Sequence, residues 1–315
     1  MKADDKGQGQ GVAPHLALIA VQLMFGTWPI VGKIALRSIS STGLVALRIG
    51  GAAIALTLLR RQLSKLRTLP KRDVWWLLFL SLLGVVWNQL LYVKGLSLTT
   101  AINAVLLSTT IPVCTLVISL FLGIDKLSLR RFIGIALAAA GVIYLVNPSR
   151  ADFSGGTMAG NLLIVANSLS YGAYIALSKD LFQRYGALNV ITWIFLIASL
   201  IVVPIGFVDL RHLDTATVAP IVWGAVIYTI LIPTVAAYYL NAWALARVSP
   251  STVAAYIYLQ PLIAFGLAPV VLGERWNSRT LIASALIFTG VAVVTKRARS
   301  KAVKEVVERP DALAH

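Results

Sequence analysis

Residues 187–208, ALNVITWIFLIASLIVVPIGFV, run for 22 positions without a charged side chain. About 20 apolar residues are what a helix needs to cross about 30 Å of hydrocarbon. In that medium the backbone must satisfy its own hydrogen bonds, which a helix does. The stretch therefore predicts a transmembrane helix, and similar runs recur along the chain at 15–36, 43–60, 74–94, 101–122, 131–147, 158–178, 218–241, 251–272 and 280–296. With 187–208 they predict ten spans, the fifth and tenth being the shortest and the eighth interrupted by Pro233. A composition of 58% hydrophobic and 13% charged residues, with a mean hydropathy of +0.82, agrees, since soluble domains run near 45–50% apolar and about 25% charged.

The net charge of +16 raises the possibility of nucleic-acid binding, which needs Lys and Arg clustered on one face. Here they occupy short connectors and the C-terminus, which excludes that class and reads instead as an orientation signal. With the N-terminus cytoplasmic, 20 of the 28 basic residues fall in cytoplasmic segments and 6 on the opposite side, leaving Lys33 and Arg48 within spans. The bias toward positive cytoplasmic loops predicts both termini inside. Residues 1–14 read as a disordered cytoplasmic tail and 297–315 as a basic one. Gly7, Gly9 and Gly11 do not form a phosphate loop, because no strand precedes them and no lysine follows at the required spacing. The first apolar run lacks a cleavage pattern and is expected to be retained. The single cysteine, Cys114, allows no intrachain disulfide.

The chain also repeats itself. An offset of 149 residues aligns 85–147 with 234–296 without a gap, superposing Pro112 on Pro261, Asp125 on Glu274, Lys126 on Arg275, Arg130 on Arg279 and Gly141-Val142 on Gly290-Val291. An offset of 146 superposes Gly26, Trp28 and Lys33 on Gly172, Tyr174 and Lys179. Each half has five predicted helices, an odd number, so the second must be inverted in the membrane relative to the first. Inverted repeats allow two halves to exchange conformations about a central site.

The second half contains Ala236–Leu245 (AAYYLNAWAL), Val248-Ser249-Pro250, Leu259-Gln260-Pro261, Leu272-Gly273-Glu274-Arg275 and Gly290-Val291. In combination these resemble the second repeat of the EamA-type drug/metabolite transporters, and the likeness covers about 15–297. The first half departs at Gly123-Ile124-Asp125, where the family more often has Gly-Glu. The resemblance implies an all-α membrane protein of ten transmembrane helices as two inverted five-helix repeats, at 15–147 and 158–296. It also implies an inner-membrane location and export or exchange of metabolites, but no particular substrate, since the family is broad in specificity; the function expected here is export or exchange of small organic metabolites such as amino acids or related compounds, at a bacterial inner membrane. The expected partners are a small-molecule substrate and membrane lipid, with no nucleic acid, as a monomer or homodimer.

Polar groups inside spans are costly unless they face a cavity or each other, so each is a candidate. Asn88 and Gln89 sit at mid-span in the third. Asn167, Tyr171, Tyr174 and Ser178 follow helical spacing on one face of the sixth. Tyr256 and Gln260 lie four apart in the ninth. Trp28, beside Pro29, and the tyrosines Tyr228, Tyr238 and Tyr239 complete an aromatic set. The expected substrate-binding residues are Trp28, Arg48, Asn88, Gln89, Asn167, Tyr171, Tyr174, Tyr256 and Gln260. Belt positions for the aromatics and helix-to-helix hydrogen bonds for the amides are the structural alternatives. Arg48 has two readings: a side chain snorkelling to the outer interface, or a grip on a substrate carboxylate. Pro112 and Pro261 lack an amide hydrogen and loosen the preceding turn, which suggests hinges. Gly134, Ala138 and Gly141, with Ala283 and Gly290, offer close helix packing within the monomer or between copies.

No Asp or Glu falls within a span, and the three histidines are peripheral. That predicts no catalytic acid pair, no metal centre, no cofactor and no buried carboxylate relay for protons. A lipid-modifying enzyme lacks its chemistry here, and a scaffold or receptor leaves the duplication unexplained.

Overall fold

The structure, a computed structural model, describes residues 12–59, 69–122, 129–146, 156–248 and 250–295, and among these it is helical throughout with short turns. In chain order the helices are α1 Val12–Ala35, α2 Ser41–Leu59, α3 Lys71–Leu98, α4 Ala101–Phe121 and α5 Leu129–Val146. They continue as α6 Gly156–Tyr185, α7 Ala187–Leu210 and α8 Pro220–Leu245. The next, α9, comprises Pro250–Ala255, a 3₁₀ turn at Tyr256–Leu259 and Gln260–Leu272, and Ser278–Thr295 forms α10. Seven described helices, α1 to α4 and α6 to α8, are long and apolar enough to cross a membrane. Residues 1–11 and 297–315 of the two tails, the Arg60–Arg67 cluster, the Asp125-Lys126 turn and Arg150 lie outside the described residues, whereas residues 12–14, expected in the disordered N-terminal tail, form the first turn of α1.

Local chemistry sets the helix boundaries. Pro220 opens α8 and Pro250 opens α9, the first-turn position where a missing amide hydrogen costs nothing. Gly186, with φ of +80°, makes the one-residue corner between α6 and α7. Gly273 ends α9 in the left-handed conformation, its amide donating to the Pro269 carbonyl at 3.1 Å. The α4 N-terminus is capped twice. Thr100 Oγ1 accepts from the Asn103 amide, and the Glu274 carboxylate accepts from the Ala101 and Ile102 amides at 2.7 and 3.0 Å. This gives a role to the Gly-Glu pair of the second repeat: it ties the end of α9 to the start of α4 and places a negative charge where the α4 dipole favours one.

Four helices are irregular at mid-length, and the irregularities pair across the repeats. Leu82–Trp87 in α3 and Leu231–Ala236 in α8 are π-helical and lie 149 residues apart. Pro233 therefore widens α8 locally without ending it. In α4 the helix breaks at Thr109-Thr110 just before Ile111-Pro112, and in α9 the 3₁₀ turn precedes Gln260-Pro261. Close packing pairs in the same way. A Cβ on Gly26 would stand 2.7 Å from Ile263 Cδ1, and one on Gly172 would stand 2.9 Å from Cys114 Cβ. Glycine 26 meets position 263 as glycine 172 meets position 114, by the same two offsets that align the sequence.

The helices α2 and α7 pack along their length, as do α5 and α10. In the second pair Gly141 faces Ala283 and Ile287, with room for no Cβ beyond 2.7 Å from Ile287 Cγ1. These small residues thus serve a contact within the chain.

Candidate solute cavity

A cavity of about 60 Å³ lies among α1, α3, α4, α6, α8 and α9, next to the four mid-helix irregularities. Six expected residues line it: Trp28, Asn88, Gln89, Asn167, Tyr171 and Gln260. Tyr238, from the aromatic set, lines it as well, together with Phe25, Tyr92, Ser108 and Ile111, which the sequence reading did not single out.

The walls are held by a hydrogen-bonded cluster. The π segment of α3 delivers Asn88 and Gln89 side by side, and Gln89 Nε2 donates to Asn88 Oδ1 at 2.8 Å and to Tyr238 Oη at 2.7 Å. Tyr238 in turn donates to Asn88 Oδ1 at 3.0 Å. Gln89 and Tyr238 are equivalent under the 149-residue offset, so the two repeats touch here through corresponding positions. Asn167 Nδ2 donates to the Asn88 carbonyl at 2.8 Å and Ser170 Oγ to the Leu83 carbonyl at 2.7 Å. These bonds take up backbone acceptors in the π region, where the α-helical ladder is disturbed. Gln260 Nε2 reaches Gln22 Oε1 at 2.7 Å, joining α9 to α1. Tyr171 accepts from Asn241 Nδ2 at 3.3 Å and stacks at 5.6 Å on Tyr174.

Three expected residues stand outside the lining. Arg48 is 1% exposed and therefore does not snorkel. Its guanidinium lies 3.6 Å from the Trp28 ring centroid, donates from Nη1 to Gln89 Oε1 at 2.6 Å and from Nη2 to Thr234 Oγ1 at 2.7 Å. It sits one layer behind the wall. Tyr174 lies beneath Tyr171, wedged against Gly84, where its ring fills the space a Cβ would take. Tyr256 turns to α1 and hydrogen-bonds His15 Nδ1 at 2.8 Å. Its phase differs because Tyr256–Leu259 is a 3₁₀ turn, advancing about 120° per residue rather than 100°, so Tyr256 and Gln260 do not share a face. The two expected hinge prolines, Pro112 and Pro261, are both buried and each follows a mid-helix break.

The volume is small. An engineered cavity of about 150 Å³ holds benzene, so a metabolite needs these walls to move apart. Among the described residues the lining has no carboxylate and no basic group, and no cluster of His, Cys, Asp or Glu could hold a metal ion.

A chamber lined by amides and aromatic rings between two sequence repeats, bordered by helices that lose regularity beside it, fits the architecture of membrane carriers. The chain belongs to the EamA-like transporter family, which it matches twice, over residues 13–147 and 158–296. An uncharacterized transporter of Bacillus subtilis, YetK, is 27% identical over 282 residues, covering 89% of this chain and 86% of its own. A probable terminal-alkyne amino-acid exporter of Streptantibioticus cattleyicolor is 25% identical over 287 residues, covering 89% and 94%. A solved crystal structure shares the fold at a TM-score of 0.64 and 21% identity, over 91% of this chain and 98% of that one. The protein is a multi-pass membrane transporter, and its family and relatives point away from catalysis.

Proposed function

We propose that this transporter is a secondary exporter or exchanger of small organic metabolites, such as amino acids and related compounds, working by alternating access around the cavity. In this reading α1 to α10 all cross a bacterial inner membrane as two inverted five-helix repeats, with both termini cytoplasmic. The observation that supports it most is the meeting of the repeats at the cavity: π segments at Leu82–Trp87 and Leu231–Ala236, with Gln89 bonded to its counterpart Tyr238. Helix breaks before Pro112 and Pro261 give both halves matching places to bend. The amino-acid class rests on the amide and aromatic lining and on the printed name of the Streptantibioticus relative.

Asn88, Gln89, Asn167, Tyr171, Gln260 and Trp28 are the substrate-contacting residues of this reading, and Arg48 acts through Gln89 and Trp28. A cavity lining without an acid or histidine among the described residues favours facilitated efflux or exchange over proton antiport. Reconstitution in liposomes tests both parts. Asn88→Ala and Tyr171→Ala are expected to lower counterflow by about tenfold or more at normal membrane abundance. Unchanged counterflow contradicts the cavity assignment, and uptake driven by a pH gradient alone contradicts the coupling.

A further inference from the structure

Arg48 is a permanent charge buried with neutral partners only. Gln89, Thr234 and the Trp28 ring surround it, and its Nε–H has no acceptor among the described residues. The described acids are engaged elsewhere: Asp73 and Asp180 with Arg184, Asp209 with Ser40 and Thr42, Asp214 with the Ala216 amide, and Glu274 at the α4 N-terminus. A buried cation without a counter-ion is expensive, and such residues in membrane helices mark ligand paths.

The charge also dictates the polarity of the wall. A guanidinium only donates, so Gln89 must turn Oε1 toward Arg48 and Nε2 away from it. Nε2 then donates to Asn88 Oδ1, which Tyr238 also occupies. Asn88 Nδ2 is left with no partner among the described residues, on a side chain that lines the cavity. Tyr171, which accepts from Asn241, likewise keeps its own hydroxyl proton free. Asn88 Nδ2 and the Tyr171 hydroxyl are thus donors open to the cavity, with a cation one layer behind Trp28 and Gln89. The amide oxygens of Asn167 and Gln260, without a partner among the described residues, are neutral acceptors suited to a hydroxyl or an ammonium group.

Resting on the transport reading above, we propose that the cavity selects solutes bearing a carboxylate, which Asn88 and Tyr171 bind by hydrogen bonds and Arg48 neutralises through space. Arg48 is a positioning residue, acting through Gln89 and Trp28. The solute supplies the counter-ion that the protein withholds, which also disfavours amines lacking an acid group.

The test uses the full-length chain in lipid nanodiscs, presented with an equimolar mixture of amino acids, hydroxy acids, keto acids, monosaccharides and primary amines. Retained solutes are identified by mass spectrometry. The expected result is retention of carboxylate-bearing solutes, falling about ten- to a hundredfold in Gln89→Glu. That variant keeps the side-chain shape and gives Arg48 an internal counter-ion; the two bonds Nε2 donates are replaced by bonds the carboxylate accepts from Tyr238 and from a flipped Asn88 amide, so the fold is retained and the Asn88 donor is withdrawn from the cavity. Arg48→Met should lose the same solutes, and Arg48→Lys should retain part of the binding. Retention of sugars or amines over acids, or equal acid retention by Gln89→Glu, overturns the proposal while leaving transport intact. Retention of nothing overturns the transport reading beneath it.

Discussion

Replacing Gln89 by leucine removes the link between Arg48 and the cavity wall while keeping the volume nearly constant. The change deletes the 2.6 Å bond from Arg48 Nη1 and leaves that buried guanidinium with Thr234 as its one hydrogen-bond acceptor among the described residues. A hydrogen bond to a charged group contributes about 1.5–3 kcal/mol. The two bonds from Gln89 Nε2 are neutral, and Asn88 Oδ1 keeps its donor in Tyr238, so their loss adds about 0.5–1 kcal/mol. The expected cost is thus about 2–4 kcal/mol, most of it from an under-partnered charge. If so, adding Arg48→Met to Gln89→Leu should recover part of the loss, because the stranded charge is gone. Equilibrium unfolding of the four members of the cycle in mixed micelles should give a coupling of about 1.5–3 kcal/mol. Additivity within about 0.5 kcal/mol would refute the claim that Arg48 and Gln89 act as one unit.

Other outcomes follow from the packing. Gly84→Ala drives a methyl group into the Tyr174 ring and should cost about 1–3 kcal/mol, read as a lower thermal midpoint, whereas Gly224→Ala, inside α8 where nothing lies within 4 Å, should raise the midpoint, through a gain of about 0.5–1 kcal/mol. Glu274→Gln removes the charge at the α4 N-terminus and one of its two acceptors, because the amide Nε2 can only donate where a carboxylate oxygen accepts from Ala101 or Ile102. A loss of about 1–3 kcal/mol is expected, its charge-dependent part shrinking in high salt, checked by unfolding at two ionic strengths.

Hydropathy made the helices legible because lipid penalises every unpaired polar group, and the charged connectors marked where helices end. It also placed α6 too short: Gly156–Tyr185 runs seven residues past the expected end, since Lys179, Asp180 and Arg184 lower the hydropathy of a helix whose last turns leave the apolar layer. The repeat predicted more than the helix count. Its 149-residue offset relates Gln89 to Tyr238 and one π segment to the other, although no composition marks a π-helix and only Gly84 and Pro233 hint at looseness there. Asn88, Asn167 and Gln260 were readable because an amide in a span must find a partner or a cavity. Phe25 and Tyr92 were not, since an aromatic residue in a membrane helix has the same sequence signature in a cavity, a core or a lipid-facing belt. Tyr92 could have been reached from Asn88, four residues earlier on one helical face. Arg48 was readable as unusual, but its depth behind Trp28 depends on how α1 and α2 pack, which spacing along one helix does not encode.

The account's central claim is that one cavity opens in turn to each side of the membrane. Ser108 lines that cavity, and Ser108→Cys in a Cys114→Ser background places a single thiol there. Labelling with a membrane-impermeant maleimide, in right-side-out and in inside-out vesicles separately, reads access from each side. Alternating access predicts labelling of Cys at position 108 from both sides, while labelling from one side only, under all solute conditions, would contradict it.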